Sequence, residues 1–432
     1  MTTIAKQSNS DFDKVFSSFL AKKRDALADV DATVKPIMER VRLEGDVALV
    51  EFTRILDDYD IREEQLRVSQ DEVVRSFDQS KAAEIEAIKI ATNRITDFHQ
   101  RQIPKDFEYT DGEGLLLGWR WTPISDVGLY VPGGLAAYPS TVLMNALPAK
   151  IAGVNRIVMT SPTPGGRTNP ILLAAADIVG VDEIYRIGGA QAIAALGYGT
   201  NHIPAVDKIV GPGNVYVAAA KKLVYGVVGV DMVAGPSEVL VVADSSAKAD
   251  WIAADLLAQS EHDLAAQAIL FTDDQLFADK VCHSIETHLG KISRSSIAAQ
   301  SWKKFGAVFI FNNINESNTY IDKIAPEHLQ LATAQPRKLL AKVKNAGAIF
   351  LGRYVPEAVG DYVAGPNHVL PTDRSARYSS GLGVLDFMKR TSIIGGDKAA
   401  LKAVGPTAVK LAELEGLDAH ALSISIRLES DE

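Results

Sequence analysis

Short, almost wholly apolar runs alternate with alanine- and leucine-rich helical segments through the middle of this chain. That alternation constrains the fold more than any other feature. The runs lie at 156–160, 183–187, 207–210, 238–243, 267–272, 306–311 and 348–351, with helical stretches at 170–179, 215–225 and 248–260 between them. A strand that is apolar throughout must be covered on both faces, as in a parallel sheet flanked by helices. These units are too many for one small sheet, so the expected class is α/β with two domains. The break falls near Ala234-Gly235-Pro236. Residues 1–115 read as a polar N-terminal helical arm, with helical spacing at 46–56 and 80–100. Residues 116–235 and 236–372 form the two α/β domains, and 373–432 a mixed tail ending in an alternating, strand-like run at 422–428.

Composition narrows the class. A net charge of -9 and a pI near 5.5 argue against a nucleic-acid binder. No apolar run reaches the ~20 residues of a membrane helix, and the first residues carry acids without the apolar core of a signal peptide. Cys282 is the only cysteine, which excludes an intrachain disulfide. The expected setting is the cytoplasm.

Two of the eight histidines follow a glutamate, in Glu261-His262 and Glu327-His328. Imidazole and carboxylate are the groups of proton transfer near neutral pH and of metal binding. Gln259 and His262 are spaced i, i+3 where a helix ends, Asp361 follows Gly360, and His420 lies in Gly416-Leu417-Asp418-Ala419-His420. Two imidazoles, a carboxylate and an amide oxygen suit a divalent metal with open positions. A capping Gln, a surface His and an Asp in a turn are the plain alternative. Neighbouring side chains in a strand point to opposite faces, so Glu327 and His328 are expected on a turn or helix start, which Pro326 favours.

Three glycine turns follow expected strands: Tyr130-Val131-Pro132-Gly133-Gly134, Ile187-Gly188-Gly189-Ala190-Gln191 and Gly211-Pro212-Gly213-Asn214. Strand C-termini of open parallel sheets are where ligands bind. The last turn lacks the third glycine of a dinucleotide fingerprint, since Tyr216 stands there. A tight βα turn and an anion site both remain open. Cys282 lies in an amphipathic helix and reads as a small hydrophobe, with His283 and His288 facing solvent. His99 and His202 carry no motif, Trp251 is a packing residue, and His368 is left unassigned. A hydrolase Gly-x-Ser-x-Gly elbow is absent.

Together, the segments resemble the histidinol dehydrogenase family over nearly the whole chain. The most specific stretch runs from Val230 through Asp231, Gly235, Pro236, Ser237 and Glu238 to Leu240. Around it stand Gly128 to Gly134, Gly211 to Asn214, Gln259 to Asp263, Pro326 to Leu329, Gly365 to Pro371 and Ser379 to Leu382.

The resemblance implies two Rossmann-like, aldehyde-dehydrogenase-like domains, one zinc per active site, NAD as oxidant and a homodimer. It implies oxidation of L-histidinol to L-histidine through the aldehyde, the last step of histidine biosynthesis. Gln259, His262, Asp361 and His420 would then be the zinc ligands, and Glu327 and His328 the catalytic pair. Ser237, Gln259, His262, His328, Asp361, Glu415 and His420 would hold substrate, with Glu415 and His420 arriving from the partner subunit. Tyr130, Gln191 and Asn214 would contact NAD. The first α/β domain would be the NAD side, and the second would carry the metal and catalytic residues. Oxidation of another small alcohol, and a metallohydrolase using Glu327 as base, are the competing readings. The chain departs from the family at Asp58, where many members have Gly, and at Asp373-Arg374, where small residues are usual.

Overall fold

Strand burial explains the topology. The computed structural model describes residues 2–24, 30–133, 138–232 and 235–430. Gly134 and the expected break at Ala234 lie outside them. In chain order the strands are β1 (Thr3–Lys6), β2 (Phe107–Thr110), β3 (Leu116–Pro123), β4 (Asp126–Tyr130), β5 (Arg156–Thr160), β6 (Glu183–Tyr185), β7 (Lys208–Val210), β8 (Gly229–Val230), β9 (Glu238–Ala243), β10 (Gln267–Thr272), β11 (Ala307–Ile310), β12 (His328–Ala332), β13 (Ala348–Leu351) and β14 (Met388–Gly395).

One parallel sheet has the order β6-β5-β4-β7-β8 and the other β1-β11-β10-β9-β12-β13. Apart from β1, the two share one pattern: the first strand is central, the next two extend one way and the last two the other. This doubly wound arrangement has a switch point between β4 and β7, and again between β9 and β12. Successive strand residues serve opposite faces. Leu129 and Met159 pack into one buried cluster while Tyr130 and Val158 pack into another. Val241 and Leu270 likewise oppose Leu240 and Phe271. With both faces covered, central strands such as β9 and β10 carry no polar alternation.

The N-terminal arm is not wholly helical. β1 pairs in parallel with β11 at the edge of the second sheet. The following helix, Phe12–Arg24, lays Phe12, Phe16 and Phe19 against Phe309. The helices Asp46–Leu56 and Ala82–Gln100 match the spacing seen in sequence.

The 422–428 run is a correction: it lies within the helix Asp418–Glu429, not a strand. Ile424 and Leu428, one helical turn apart, both approach Gly405 of the helix Lys398–Leu414. Packing on that helix outweighs the β-type alternation. A third, antiparallel sheet, β14-β3-β2, lies beside these helices.

Candidate functional site

Glu327 sits on a bend just before β12 and His328 is the first residue of that strand, so only His328 departs from the expected turn or helix start. Ala325 takes a left-handed conformation (φ 45), and His328 opens the strand opposite Val239 and Ala348. The two side chains still converge, because both reach one residue. Glu327 Oε2 accepts from the Glu238 N–H at 2.8 Å, and His328 Nδ1 donates to the Glu238 carbonyl at 3.1 Å. A carbonyl can only accept, so this bond places a proton on Nδ1. His328 Nε2 has no hydrogen-bond partner among the described residues and lies 3.6 Å from Asp361 Oδ1. Glu327 and His328 are 6 % and 5 % exposed. Burial pushes the Glu327 carboxyl up, against the His328 charge. Burial alone would lower His328, but Glu327, Asp361 and Glu357 hold it well above the usual imidazole range.

Three of the four expected metal ligands lie at this end of the second sheet. Helices that follow parallel strands run back antiparallel to them, so the end of Ala249–Ser260 meets the N-terminal strand edge. Gln259, in its last turn, is fully buried with both amide atoms unpartnered; His262, just beyond, is exposed. Asp361 sits on the short helix Glu357–Tyr362, which packs on Ala249–Ser260 and β12. Burial would raise the Asp361 pKa, but His328, then His368 and His262, hold it below the usual carboxylate range. His368 Nδ1 donates to the Asp361 carbonyl at 2.8 Å, which orients it.

His420 and Glu415 are not brought to this cluster. Both are exposed near the ends of the C-terminal helices, and among the described residues no hydrogen bond or ion pair joins them to it. Ser237 directly precedes β9, where its carbonyl accepts from Gln267. The orphaned buried amide of Gln259, the Asp361 carboxylate and the nearby His262 imidazole are donors of the kind that a divalent cation of intermediate hardness such as zinc takes. Among the described residues, the group of His, Cys, Asp or Glu ligand atoms that lie within 4.8 Å of one another is a different one, Asp46, Glu63 and His202. That group was not expected from sequence, and Asp46 Oδ2 already accepts from the N–H and ring of His202.

The glycine turns lie at the opposite kind of edge, the C-terminal ends of β4, β6 and β7. Tyr130 ends β4, and its Oη accepts from the Gly189 N–H at 3.1 Å; burial pushes its pKa up to about 12. Gln191 is 1 % exposed with Oε1 unpartnered. Asn214 caps the helix Val215–Val224, accepting from Tyr216 and Val217 through Oδ1. Its exposed amide can still donate outward. Gly211 has φ 112, and a Cβ there would collide with the Tyr130 carbonyl. The unpartnered buried hydroxyls of Ser161 and Thr163 lie on the loop following β5. A backbone-lined edge with spare polar atoms at a switch point fits a dinucleotide.

A family model described as histidinol dehydrogenase matches residues 20–428. The histidinol dehydrogenase of Rhodospirillum rubrum is 57 % identical over 422 residues, covering 98 % of this chain and 97 % of that one. The Brucella abortus enzyme of that name is 54 % identical over 428 residues, covering 99 % and 100 %. This chain belongs to the histidinol dehydrogenase family. The crystal structure of histidinol dehydrogenase from Elizabethkingia anophelis superposes with a TM-score of 0.93 at 34 % identity, covering 99 % of this chain and 98 % of that one.

Sequence reasoning missed Glu238 as the residue that anchors Glu327 and His328, because it does so through its backbone. It also missed Asp255, Gln330 and Glu357. Gln330 alternates with His328 on β12, a signal visible only once β12 is known to be a strand. His288 is a smaller correction: its Nε2 pairs with Asp250 at 2.8 Å and is mostly shielded from solvent. His99 is fully buried, with Nδ1 donating to Ile95. Cys282 packs beside the core of the second sheet, and burial raises its pKa.

Proposed function

We propose that this chain oxidises L-histidinol to L-histidine through L-histidinal, with two NAD and one zinc per active site, as the last step of histidine biosynthesis. The observation that carries this is the joint anchoring of Glu327 and His328 on the Glu238 backbone, with the bare His328 nitrogen facing Asp361.

Gln259, His262 and Asp361 would hold zinc, with His420 completing the set. When bound, zinc supplies a positive template for the substrate's amino and imidazole nitrogens, and NAD accepts the hydride. His328 Nε2 takes the hydroxyl proton as the carbinol C–H bond breaks. With Asp361 engaged by a dication, His328 would lose part of the negative field that holds its proton and would be free to accept one near neutral pH. Glu327, buried beside it, takes a proton from the water that adds to the aldehyde carbon, while His328 returns its proton to the aldehyde oxygen, which completes the hydrate and leaves His328 a free base again. His328 then takes a proton from the hydrate as the second C–H bond breaks. General-base assistance of this kind contributes ~10²–10⁴ fold. The Cys282 thiol, packed elsewhere, is not used.

Substrate would be held by Ser237, Gln259, His262, His328 and Asp361, and by Glu415 and His420 of a second copy. Support for a homodimer comes from the C-terminal helices. They leave Leu411, Leu414, Leu422 and Ile426 exposed, and Asp418–Glu429 has no buried residue. Such a surface is suited to a subunit contact. Tyr130, Gln191 and Asn214 would contact NAD on the first sheet, and the second would carry the metal and the bases. No helix among the described residues is long and apolar enough to cross a membrane; a cytoplasmic setting follows from the proposed biosynthetic reaction.

The test is NADH formation from L-histidinol by the purified protein, before and after chelation and zinc addition. Two NADH per substrate, lost with chelator and restored by zinc, is the expected result. No NADH from histidinol but turnover of another alcohol would overturn the substrate assignment.

A further inference from the structure

Behind the residues that face the site lies a second polar tier. Three elements each contribute to both tiers at the spacing that puts two residues on one face. Gln259 lies one turn from Asp255 on Ala249–Ser260, Asp361 one turn from Glu357 on Glu357–Tyr362, and His328 alternates with Gln330 on β12. Gln330 Nε2 donates to Asp255 Oδ2 at 2.8 Å. Gln330 and Glu357 are 0 % and 1 % exposed. Their remaining oxygens, Gln330 Oε1 and Glu357 Oε2, have no hydrogen-bond partner among the described residues, and neither amide atom of Gln259 has one. Glu357 lies within electrostatic reach of His328, Asp361, Glu327 and Asp255.

A fully buried carboxyl is costly to keep without a task. An amide that offers its oxygen to a cation leaves an NH2 group needing an acceptor, and a carboxylate ligand on a one-turn helix needs that helix held. Groups behind a metal site commonly orient its ligands in this way. Resting on the zinc reading above, we infer that Glu357 is a positioning residue for the metal-binding end. Its carboxyl orients the Gln259 amide and steadies Asp361, so that an oxygen of each faces the same point.

The test uses the full-length protein, stripped with a chelator and titrated with zinc alone against a competing chelator. Metal content and thermal unfolding are both read. Glu357→Gln keeps side-chain length and removes the charge; Glu357→Asp keeps the acid. The expected result is zinc binding weakened ~10–100 fold in Glu357→Gln and partly restored in Glu357→Asp. The stripped Glu357→Gln protein should unfold no earlier than the stripped parent. Parental zinc affinity in Glu357→Gln, whatever its midpoint, would overturn the inference. If Glu357→Gln does not fold, Glu357→Asp decides by the same titration, an intermediate affinity supporting the role and a parental one overturning it. A parent protein that takes up no zinc would overturn the metal reading as well, so the two failures are distinguishable.

Discussion

His328 Nδ1 donates to the Glu238 carbonyl at 3.1 Å, and this bond leaves Nε2 as the nitrogen that faces the site. Asn at position 328 can place its amide nitrogen near Nδ1 and keep that bond, but it has no base at the Nε2 position. His328→Asn should therefore keep the thermal midpoint close to the parent while kcat falls ~10²–10⁴ fold on both L-histidinol and L-histidinal. Steady-state NADH formation with each substrate, beside calorimetry, checks this. Retained kcat would remove His328 from the mechanism.

The same Glu238 serves Glu327 through its N–H, at 2.8 Å. Gln at 327 can still accept that bond through its side-chain oxygen but is a poor base. The two oxidation steps should separate. Glu327→Gln is expected to lose ~10²–10⁴ fold with the aldehyde, which must be hydrated, and far less in the alcohol step. Single-turnover NADH bursts resolve the steps. An equal loss in both would assign Glu327 to positioning.

The parts of this molecule that were legible in sequence are those where burial leaves a one-dimensional trace. Strands covered on both faces, such as β9 and β10, read as unbroken apolar runs, and Pro170–Val179 appears with its proline at the first turn and glycine just past the end. β12 was missed because its first and third residues are polar, His328 facing the site and Gln330 lying behind it. Function there overrides the pattern of a buried strand. The Leu422–Leu428 run was misread because alternation and helical spacing coincide over so few residues. Gln259, His262 and Asp361 were singled out by motif resemblance, and the fold brings them to one end of the second sheet. Glu238 and Glu357 were not, since one acts through its backbone and the other through neighbours that only the fold brings close.

The turn after β7 rests on a buried pair. Lys221 and Asp231 form an ion pair with side chains 2 % and 1 % exposed. Lys221 also donates to the Gly211 carbonyl at 2.9 Å, while Asp231 accepts from the Gly211 N–H at 2.8 Å. Removing one partner strands a buried charge, a loss of ~3–5 kcal/mol. Lys221→Met should fall near the lower end, because backbone N–H groups still serve Asp231, and should raise KM for NAD without changing zinc affinity. Denaturant unfolding and NAD titration check both. Lys221→Met/Asp231→Asn should recover part of the stability, and a double variant weaker than the single would refute the stranded-charge account.

Asp58 carries a local strain that a single substitution can relieve. It follows Asp57, which ends the helix Asp46–Leu56, and takes a left-handed conformation at φ 48. The Asp57 carbonyl accepts from Gly165 at 2.7 Å, so the turn is tied to the loop after β5 and cannot simply unwind. Asp tolerates left-handed geometry better than most residues but still meets the Cβ penalty that glycine avoids. Glycine regains that energy and gives back part of it through a freer unfolded chain. Asp58→Gly should therefore stabilise by up to ~1 kcal/mol, with kcat unchanged, since the side chain is exposed. Asp58→Val, β-branched, should move the other way. Chemical denaturation of the three proteins side by side decides it: if glycine gains nothing and valine loses nothing, the backbone at 58 is not under strain.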